Sequence, residues 1–135
     1  MLFAVIDTNV LVSYFLSKDS SPPVVVVEEI FGGRITPLYN DYLFIEYRDV
    51  LGREKFGIGQ SEIQTVMDGL QRFGIKVESD EIGITLPDVK DVPIFEIALS
   101  TRDCDSYLVT GNTKHFPRVD FVVTPKQMVE LLDRT

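Results

Sequence analysis

The chain has a single cysteine among its 135 residues, so no disulfide within the chain can support its fold. It also shows no signal peptide, and its valine run at residues 24–27 is far too short to cross a bilayer. No basic juxtamembrane cluster and no lipidation motif accompanies that run. We therefore expect a soluble protein of the reducing cytoplasm that has no membrane partner.

Several familiar sequence signatures are also missing. There is no GxxxxGK[ST] segment and no GxGxxG segment, so a nucleotide-binding loop is not indicated. His115 is the only histidine and Cys104 the only cysteine, and neither lies in the sequence context of a nucleophilic triad. For His115, a general-base role and a purely structural role both stay open. With no Cys/His ligand set, a zinc site is also disfavoured.

Positive charge is scarce, because 13 Lys and Arg face 21 Asp and Glu, which leaves a net charge of −8. A nucleic-acid partner normally requires a basic surface, so this balance argues against one without excluding it. Net charge governs long-range steering rather than the chemistry of one cleft, and carboxylates that hold cations would add to the deficit. Apolar residues make up 44% of the chain, enough for one buried core, so we expect residues 1–135 to form one domain.

Apolar strands alternate with helical segments along the chain. Residues 2–6 form a continuous apolar run, which is typical of a strand buried on both faces. Residues 34–39 indicate a short strand that Pro37 should make peripheral or irregular, and residues 107–109 indicate another strand. Asn40 can cap a helix that runs to about Leu51. The alternation predicts an α/β domain built around a mostly parallel sheet.

Three polar positions fall where such sheets bind ligands, at the carboxyl ends of the strands. Asp7 comes directly after the first strand, and Asn112 follows the strand at residues 107–109. Asp91 lies at the start of a predicted helix. Each aspartate could instead serve as the N-cap of the helix that follows it, and its position alone leaves both interpretations open.

Glu46 lies at the border of the apolar face of the helix that follows Asn40. It stands three residues after Leu43 and four before Val50, which belong to that face, whereas Arg48 belongs to the solvent face. Burying a lone carboxylate is costly. Glu46 should therefore have a cation or hydrogen-bond donors as a partner, unless its side chain extends to solvent.

Three carboxylates and an asparagine at one end of a sheet would form an oxygen-lined pocket. Oxygen ligands favour Mg²⁺ or Mn²⁺ over zinc. Like charges held close together cannot all stay ionised without a cation, so carboxylate clustering and metal binding support each other. A metal lowers the pKa of a bound water and neutralises charge on an attacked phosphate, so the chemistry that suits this pocket is phosphodiester hydrolysis.

Four segments of the chain, in their order and spacing, resemble the motifs of the PIN-domain family. The resemblance is to its branch of toxin components of toxin–antitoxin systems. The segments are AVIDTNVL at residues 4–11, EYRDVL at 46–51, KDVPIFEIA at 90–98 and YLVTGN at 107–112. DTNV alone would be a weak signal, whereas the four segments together are specific and span nearly the whole chain.

The resemblance implies a three-layer α/β/α fold and a ribonuclease that uses Mg²⁺ or Mn²⁺. It implies that Asp7, Glu46 and Asp91 coordinate the metal and that Asn112 belongs to the catalytic set. It further implies an RNA substrate, a cognate antitoxin protein and a homodimer. The residues expected to support the site or contact substrate are Thr8, Asn9, Thr110 and Arg48. Arg48, like Arg53 and Lys55, could equally be a solvated surface charge.

The chain departs from the family pattern at Asn112, where many members have aspartate. Asparagine can coordinate through its carbonyl oxygen but brings no charge, which favours a one-metal or substrate-assisted arrangement. The same departure supports an alternative, a catalytically degenerate PIN-like scaffold that binds a protein or RNA. A phosphatase with Asp7 as nucleophile is disfavoured, because haloacid-dehalogenase-like enzymes need aspartate at the position of Asn9. Asp88 is interpreted as a loop residue rather than a pocket residue.

Overall fold

The computed structural model describes residues 1–17, 19–79 and 81–135 of the chain. Its strands are β1 (Leu2–Ile6), β2 (Ile35–Tyr39), β3 (Ile75–Lys76), β4 (Tyr107–Val109) and β5 (Val122–Val123). Its helices are α1 (Thr8–Leu16), α2 (Pro22–Phe31), α3 (Asp41–Leu51), α4 (Gln60–Phe73), α5 (Val92–Ser100) and α6 (Pro125–Asp133). Within the described ranges, no helix is both long enough and apolar enough to span a bilayer.

The strands form one sheet in the order β3-β2-β1-β4-β5, and each neighbouring pair is parallel. Successive residues of a strand point to opposite faces, and Ala4, Val5 and Ile6 are all fully buried, so both faces of β1 are covered. α5 packs against β1, β2 and β4, while α2 and α4 contact β2 and α6 contacts β5. The three-layer α/β/α fold with a parallel central sheet is therefore confirmed.

The strand predicted at residues 34–39 lies inside the sheet, so the expectation of a peripheral strand was wrong. The carbonyl oxygen of Tyr39 accepts a hydrogen bond from Val77 N on the β3 side. Alternate residues of a strand bond to opposite neighbours, so the nitrogen of Pro37 faces the same side as Tyr39. β3 pairs with β2 only from Leu38 onward. The missing N–H of Pro37 therefore falls before that pairing begins, and the proline is tolerated.

The helix starts differ in how they are capped. α3 begins after Asn40 as predicted, because Asn40 Oδ1 accepts a hydrogen bond from Leu43 N at 2.8 Å. Asp7 caps α1, since its Oδ1 accepts from Thr8 N at 2.8 Å. Asp91 behaves otherwise. It ends a short 3₁₀ turn that leads into α5, and within the described part of the chain its side chain makes no capping hydrogen bond.

α4 is joined to β3 by a tight turn at Gly74. A Cβ atom at this position would lie 2.3 Å from the carbonyl oxygen of Leu70 and 2.7 Å from that of Pro37. Both are backbone atoms that cannot rotate away, so only glycine fits without a shift of the main chain. The close approach draws the end of α4 against β2 and starts β3 at the correct edge of the sheet.

Candidate active site

The sheet order creates a crevice at the carboxyl ends of β1 and β4. β1 lies between β2 and β4, so the chain first adds a strand on one side of β1 and later on the other. In parallel sheets, ligands bind where the strand order reverses in this way. Ile6 and Val109 are register partners, so Asp7 and Thr110 leave the sheet side by side.

A cleft of about 380 Å³ at this edge brings together the predicted catalytic set: Asp7, Glu46, Asp91 and Asn112 all line it. They come from four separate segments, namely the end of β1, the middle of α3, the turn before α5 and the loop after β4. Residues this far apart in the chain meet only because the parallel sheet aligns the ends of its strands. Thr8, Asn9 and His115 line the same cleft.

The carboxylate of Asp7 is buried and is held at both oxygens. Oδ1 caps α1, whereas Oδ2 accepts hydrogen bonds from the Thr110 hydroxyl at 2.8 Å and from Asn9 Nδ2 at 3.3 Å. Thr110 is itself fully buried, and its hydroxyl oxygen accepts from Asn112 N at 3.0 Å. The two interpretations of Asp7, as a cap and as a site residue, are thus compatible, because different oxygens serve them.

Asn9 also fixes the loop that carries Asn112. Its Oδ1 accepts a hydrogen bond from Gly111 N at 2.9 Å. A Cβ atom at position 111 would come within 3.3 Å of the same oxygen, so the close approach favours glycine. Thr8, Asn9 and Thr110, three of the four predicted supporting residues, therefore surround the cleft or lie directly beneath it.

Glu46 reaches the cleft from α3 and is half-buried. The Thr8 hydroxyl donates a hydrogen bond to its Oε2. The next residue, Tyr47, is buried, and its hydroxyl donates to the carbonyl oxygen of Ile6, the last residue of β1. This bond ties α3 to the end of β1 directly behind the cleft. From its position on an apolar helix face, Tyr47 could be read only as a core residue, so its bond to Ile6 was not foreseen.

Asp91 is the least satisfied of the three acids. Its side chain is 13% exposed, and its Oδ2 has no hydrogen-bond partner among the described residues. Nδ1 of His115 lies 3.4 Å from that oxygen, which is an ion-pair distance but lacks the geometry of a hydrogen bond. Asp88 does not line the cleft, and its Oδ1 accepts from Lys90 N at 3.0 Å within the turn.

Burial and mutual repulsion raise the pKa of each of the three carboxyl groups. For Asp7, burial raises the pKa, the bond from Thr110 lowers it, and the charge of Asp91 raises it. For Glu46, burial raises the pKa, the bond from Thr8 lowers it, and Asp7 raises it. For Asp91, burial is again the largest cause and repulsion from Asp88 also raises the pKa, whereas the charge of His115 and its polar contact lower it. A cation in the cleft would relieve this repulsion.

The basic residues that follow Glu46 do not line the cleft. Arg48 is exposed, and its guanidinium lies over the ring of Phe44, 5.7 Å from the centroid. Arg53 pairs with Asp49 at 3.5 Å on the surface. Arg48 therefore lies away from the cleft, unlike Thr8, Asn9 and Thr110, the other three residues that were expected to support it.

The donor set of the cleft suits a hard divalent cation. It offers the amide of Asn112 and carboxylate oxygens, one of which is buried and has no hydrogen-bond donor in the described part of the chain. Over the residues described here, no three His, Cys, Asp or Glu side chains are grouped closely enough to hold an ion as they stand. The residues fit Mg²⁺ or Mn²⁺ in chemistry and charge, and binding would have to draw their side chains together.

Comparison with known families matches residues 4–114 to the PIN domain. The match covers most of the chain and includes all four motif segments, so the protein belongs to the PIN-domain family. PIN domains are typically nucleases, and they usually use divalent metal ions. A search of curated proteins finds no match. The resemblance found from the motifs is thus confirmed at the level of the family.

Proposed function

We propose that this protein is a divalent-metal-dependent ribonuclease that hydrolyses RNA phosphodiester bonds. Asp7, Glu46 and Asp91 would hold Mg²⁺ or Mn²⁺, with Asn112 as a neutral member of the same site. Membership of the PIN-domain family supports nuclease chemistry. The observation that carries the proposal is the meeting of three carboxyl groups with raised pKa values in one cleft, where a buried oxygen of Asp91 has no hydrogen-bond donor among the described residues.

A divalent cation bound in the cleft would lower the pKa of a water and offset the charge of the attacked phosphate. The protein's own residues would position the carboxylates that hold this cation. Thr110 donates to Oδ2 of Asp7, and Thr8 donates to Oε2 of Glu46, so both carboxylates are held in fixed orientations. Asn112 supplies an oxygen without a charge, so the site has three carboxylates to neutralise rather than four, which favours a single ion.

A second cavity, of about 300 Å³, supports RNA as the substrate. It shares Glu46 with the acidic cleft and is also lined by Tyr42, Lys90 and Arg53, the last of which pairs with Asp49 of the same lining. Cationic side chains beside an aromatic ring suit the phosphates and bases of a single strand. Because the net charge is −8, affinity for RNA would come from these local groups and the bound cation rather than from the overall field.

The proposal is tested by incubating purified protein with a mixed RNA pool in Mg²⁺, in Mn²⁺ and in EDTA. We expect cleavage with either metal and none with EDTA. Asp7→Asn should be inactive, whereas Asp120→Asn, the same change of charge at an exposed acid that lines neither cavity, should cleave like the wild type. Cleavage that survives chelation, or that is equal in Asp7→Asn, would contradict the proposal.

The toxin role, a cognate antitoxin, a homodimer and a cytoplasmic location belong to the same proposal, supported by the resemblance of the motif segments to the toxin branch. Induced expression in a bacterial host should arrest growth, and Asp91→Asn at equal protein level should not. Sedimentation should show a dimer. If cells that contain abundant active nuclease grew normally, the toxin role would be contradicted, and the proposed ribonuclease activity would not be affected.

A catalytically degenerate scaffold that binds RNA or protein is the second candidate. Two observations favour it: Asn112 brings no charge, and the acids within the described ranges are not grouped at ligating distances. Several RNAs left uncut in both metals, by protein that is folded and binds Mn²⁺, would select this scaffold over the nuclease.

A further inference from the structure

His115 lines the acidic cleft but has no part in the proposed function so far. It is the only histidine of the chain. It ends a 3₁₀ turn, Thr113–His115, that begins directly after Asn112. Its side chain is 44% exposed, and its Nδ1 lies 3.4 Å from Oδ2 of Asp91. The imidazole therefore lies between Asn112, whose Nδ2 is 3.0 Å from its Nε2, and Asp91, whose Oδ2 has no hydrogen-bond partner among the described residues.

Core packing holds this turn against Asp91. Phe116, the residue after His115, is buried, and its ring packs on that of Phe95 with centroids 6.0 Å apart. Phe95 lies on α5, one turn after Asp91. The contact between Phe116 and Phe95 thus holds the turn of His115 against the start of α5. The approach of His115 to Asp91 is therefore fixed by core packing.

The contact between His115 and Asp91 is not that of a satisfied hydrogen bond. Oδ2 of Asp91 stays without a partner among the described residues although a ring nitrogen is its neighbour. Adjacent ligands of an octahedral ion, at bond lengths of about 2.1 Å, stand roughly 3 Å apart. An imidazole nitrogen and a carboxylate oxygen 3.4 Å apart in one cleft therefore need only a small adjustment to share an ion.

We propose that His115 is a metal ligand of this site, adding one neutral imidazole nitrogen to the carboxylate oxygens. The inference rests on the proposed metal-dependent function and deepens it. Mg²⁺ prefers an all-oxygen set, whereas imidazole favours transition metals. A site of carboxylate oxygens and one nitrogen should thus select Mn²⁺ over Mg²⁺ more strongly than the three acids would alone.

Pulsed electron paramagnetic resonance of bound Mn²⁺ tests the assignment directly. In tag-free protein, any imidazole-nitrogen coupling to Mn²⁺ can come only from His115, because the chain has no other histidine. We expect a ¹⁴N modulation that changes to ¹⁵N when only histidine is labelled with ¹⁵N. The label alters no side chain, so the result does not depend on a variant that might fold poorly.

The variant His115→Gln supplies the second readout, provided that its circular dichroism matches the wild type. Its Mn²⁺ affinity should fall at least about tenfold, with a smaller change in Mg²⁺ affinity. Bound Mn²⁺ without a label-sensitive coupling would overturn the role of His115 and leave the ribonuclease standing, with the imidazole acting only as a polar neighbour of Asp91. Absence of any Mn²⁺ binding would overturn both proposals.

Discussion

The hydroxyl of Tyr47 donates a hydrogen bond to the carbonyl oxygen of Ile6 in the interior of the protein. Ile6 is followed by Asp7, and Tyr47 is preceded by Glu46, so one buried bond joins the chain neighbours of two cleft carboxylates. α3 and β1 are connected through a long stretch of chain, and this bond sets their separation locally. Tyr47 is thus a positioning residue for the site.

Replacing Tyr47 with phenylalanine should damage both stability and catalysis. The change leaves the Ile6 carbonyl without this donor in a buried place, so the free energy of unfolding should fall by about 1–3 kcal/mol. Since α3 is then held less firmly against the end of β1, Glu46 should be less well placed, so kcat for RNA cleavage should fall while KM changes little. Denaturant unfolding and steady-state kinetics measure the two effects. Tyr14→Phe, the same chemical change on α1, serves as the control. A Tyr47→Phe enzyme with normal kcat would refute the positioning role.

Neutralising Asp91 should stabilise the metal-free protein, and the gain should depend on pH. The folded pKa of Asp91 is raised above its ordinary value of 3.8, chiefly by burial. Below pH 3.8 the carboxyl group is protonated in both states. As the pH rises through the folded pKa, ionisation favours the unfolded chain, so the wild type loses stability that Asp91→Asn keeps.

In EDTA, the melting temperature of Asp91→Asn should therefore exceed that of the wild type by a few degrees at pH 7, or about 1 kcal/mol, and by less at pH 4.5. Thermal melts across this range measure the difference. Asp49→Asn, an exposed acid paired with Arg53, should show no such pH-dependent gain. A gain that is constant with pH would mean that the charge of Asp91 is not its cause.

In Mn²⁺ the wild type should be more stable than Asp91→Asn, the opposite of the order expected in EDTA. At a metal concentration a hundred times its dissociation constant, the folded state gains about 2.7 kcal/mol, so the wild-type melting temperature should rise by roughly 5–10 °C. Asp7→Asn should lose most of this rise, whereas Asp120→Asn, an exposed acid that does not line the cleft, should keep it. An equal rise in both variants would place the ion elsewhere.

The turn at Gly74 offers a test of the fold itself. Gly74→Ala brings a Cβ atom against two backbone oxygens, so the free energy of unfolding should fall by about 1–3 kcal/mol. Gly32→Ala is the matched control, because the nearest atom to its Cβ would be 3.4 Å away. Chemical denaturation compares the two. If both variants were equally stable, the close approach of α4 to β2 at this turn would be wrong.

Much of the fold could be predicted from local patterns. The apolar run before Asp7 and the capping position of Asn40 each depend on near neighbours, and both predictions are confirmed. The position of β2 inside the sheet could not be predicted from local sequence patterns. A proline argues for an edge strand, and only the late start of β3 makes it harmless at position 37.

The candidate site was predictable in its acids but not in how they are held. Asp7 after a strand, Asp91 at a helix start and Glu46 at the border of an apolar face were each candidates. The resemblance of the motifs joined them into one set, and all three line one cleft. The bond from Tyr47 and the contact of His115 depend on residues that meet only in three dimensions. A tyrosine on an apolar face and a lone histidine in a loop carry no local signal of such roles.

The most direct measurement compares RNA cleavage by Asp91→Asn and Asp88→Asn in Mn²⁺. Both variants exchange an acid for an amide in the same turn, but only Asp91 lines the cleft. If the three carboxylates form one hydrolytic site, Asp91→Asn should lose at least about a hundredfold in rate, while Asp88→Asn stays within about threefold of the wild type. Equal rates for Asp91→Asn and the wild type would contradict the site.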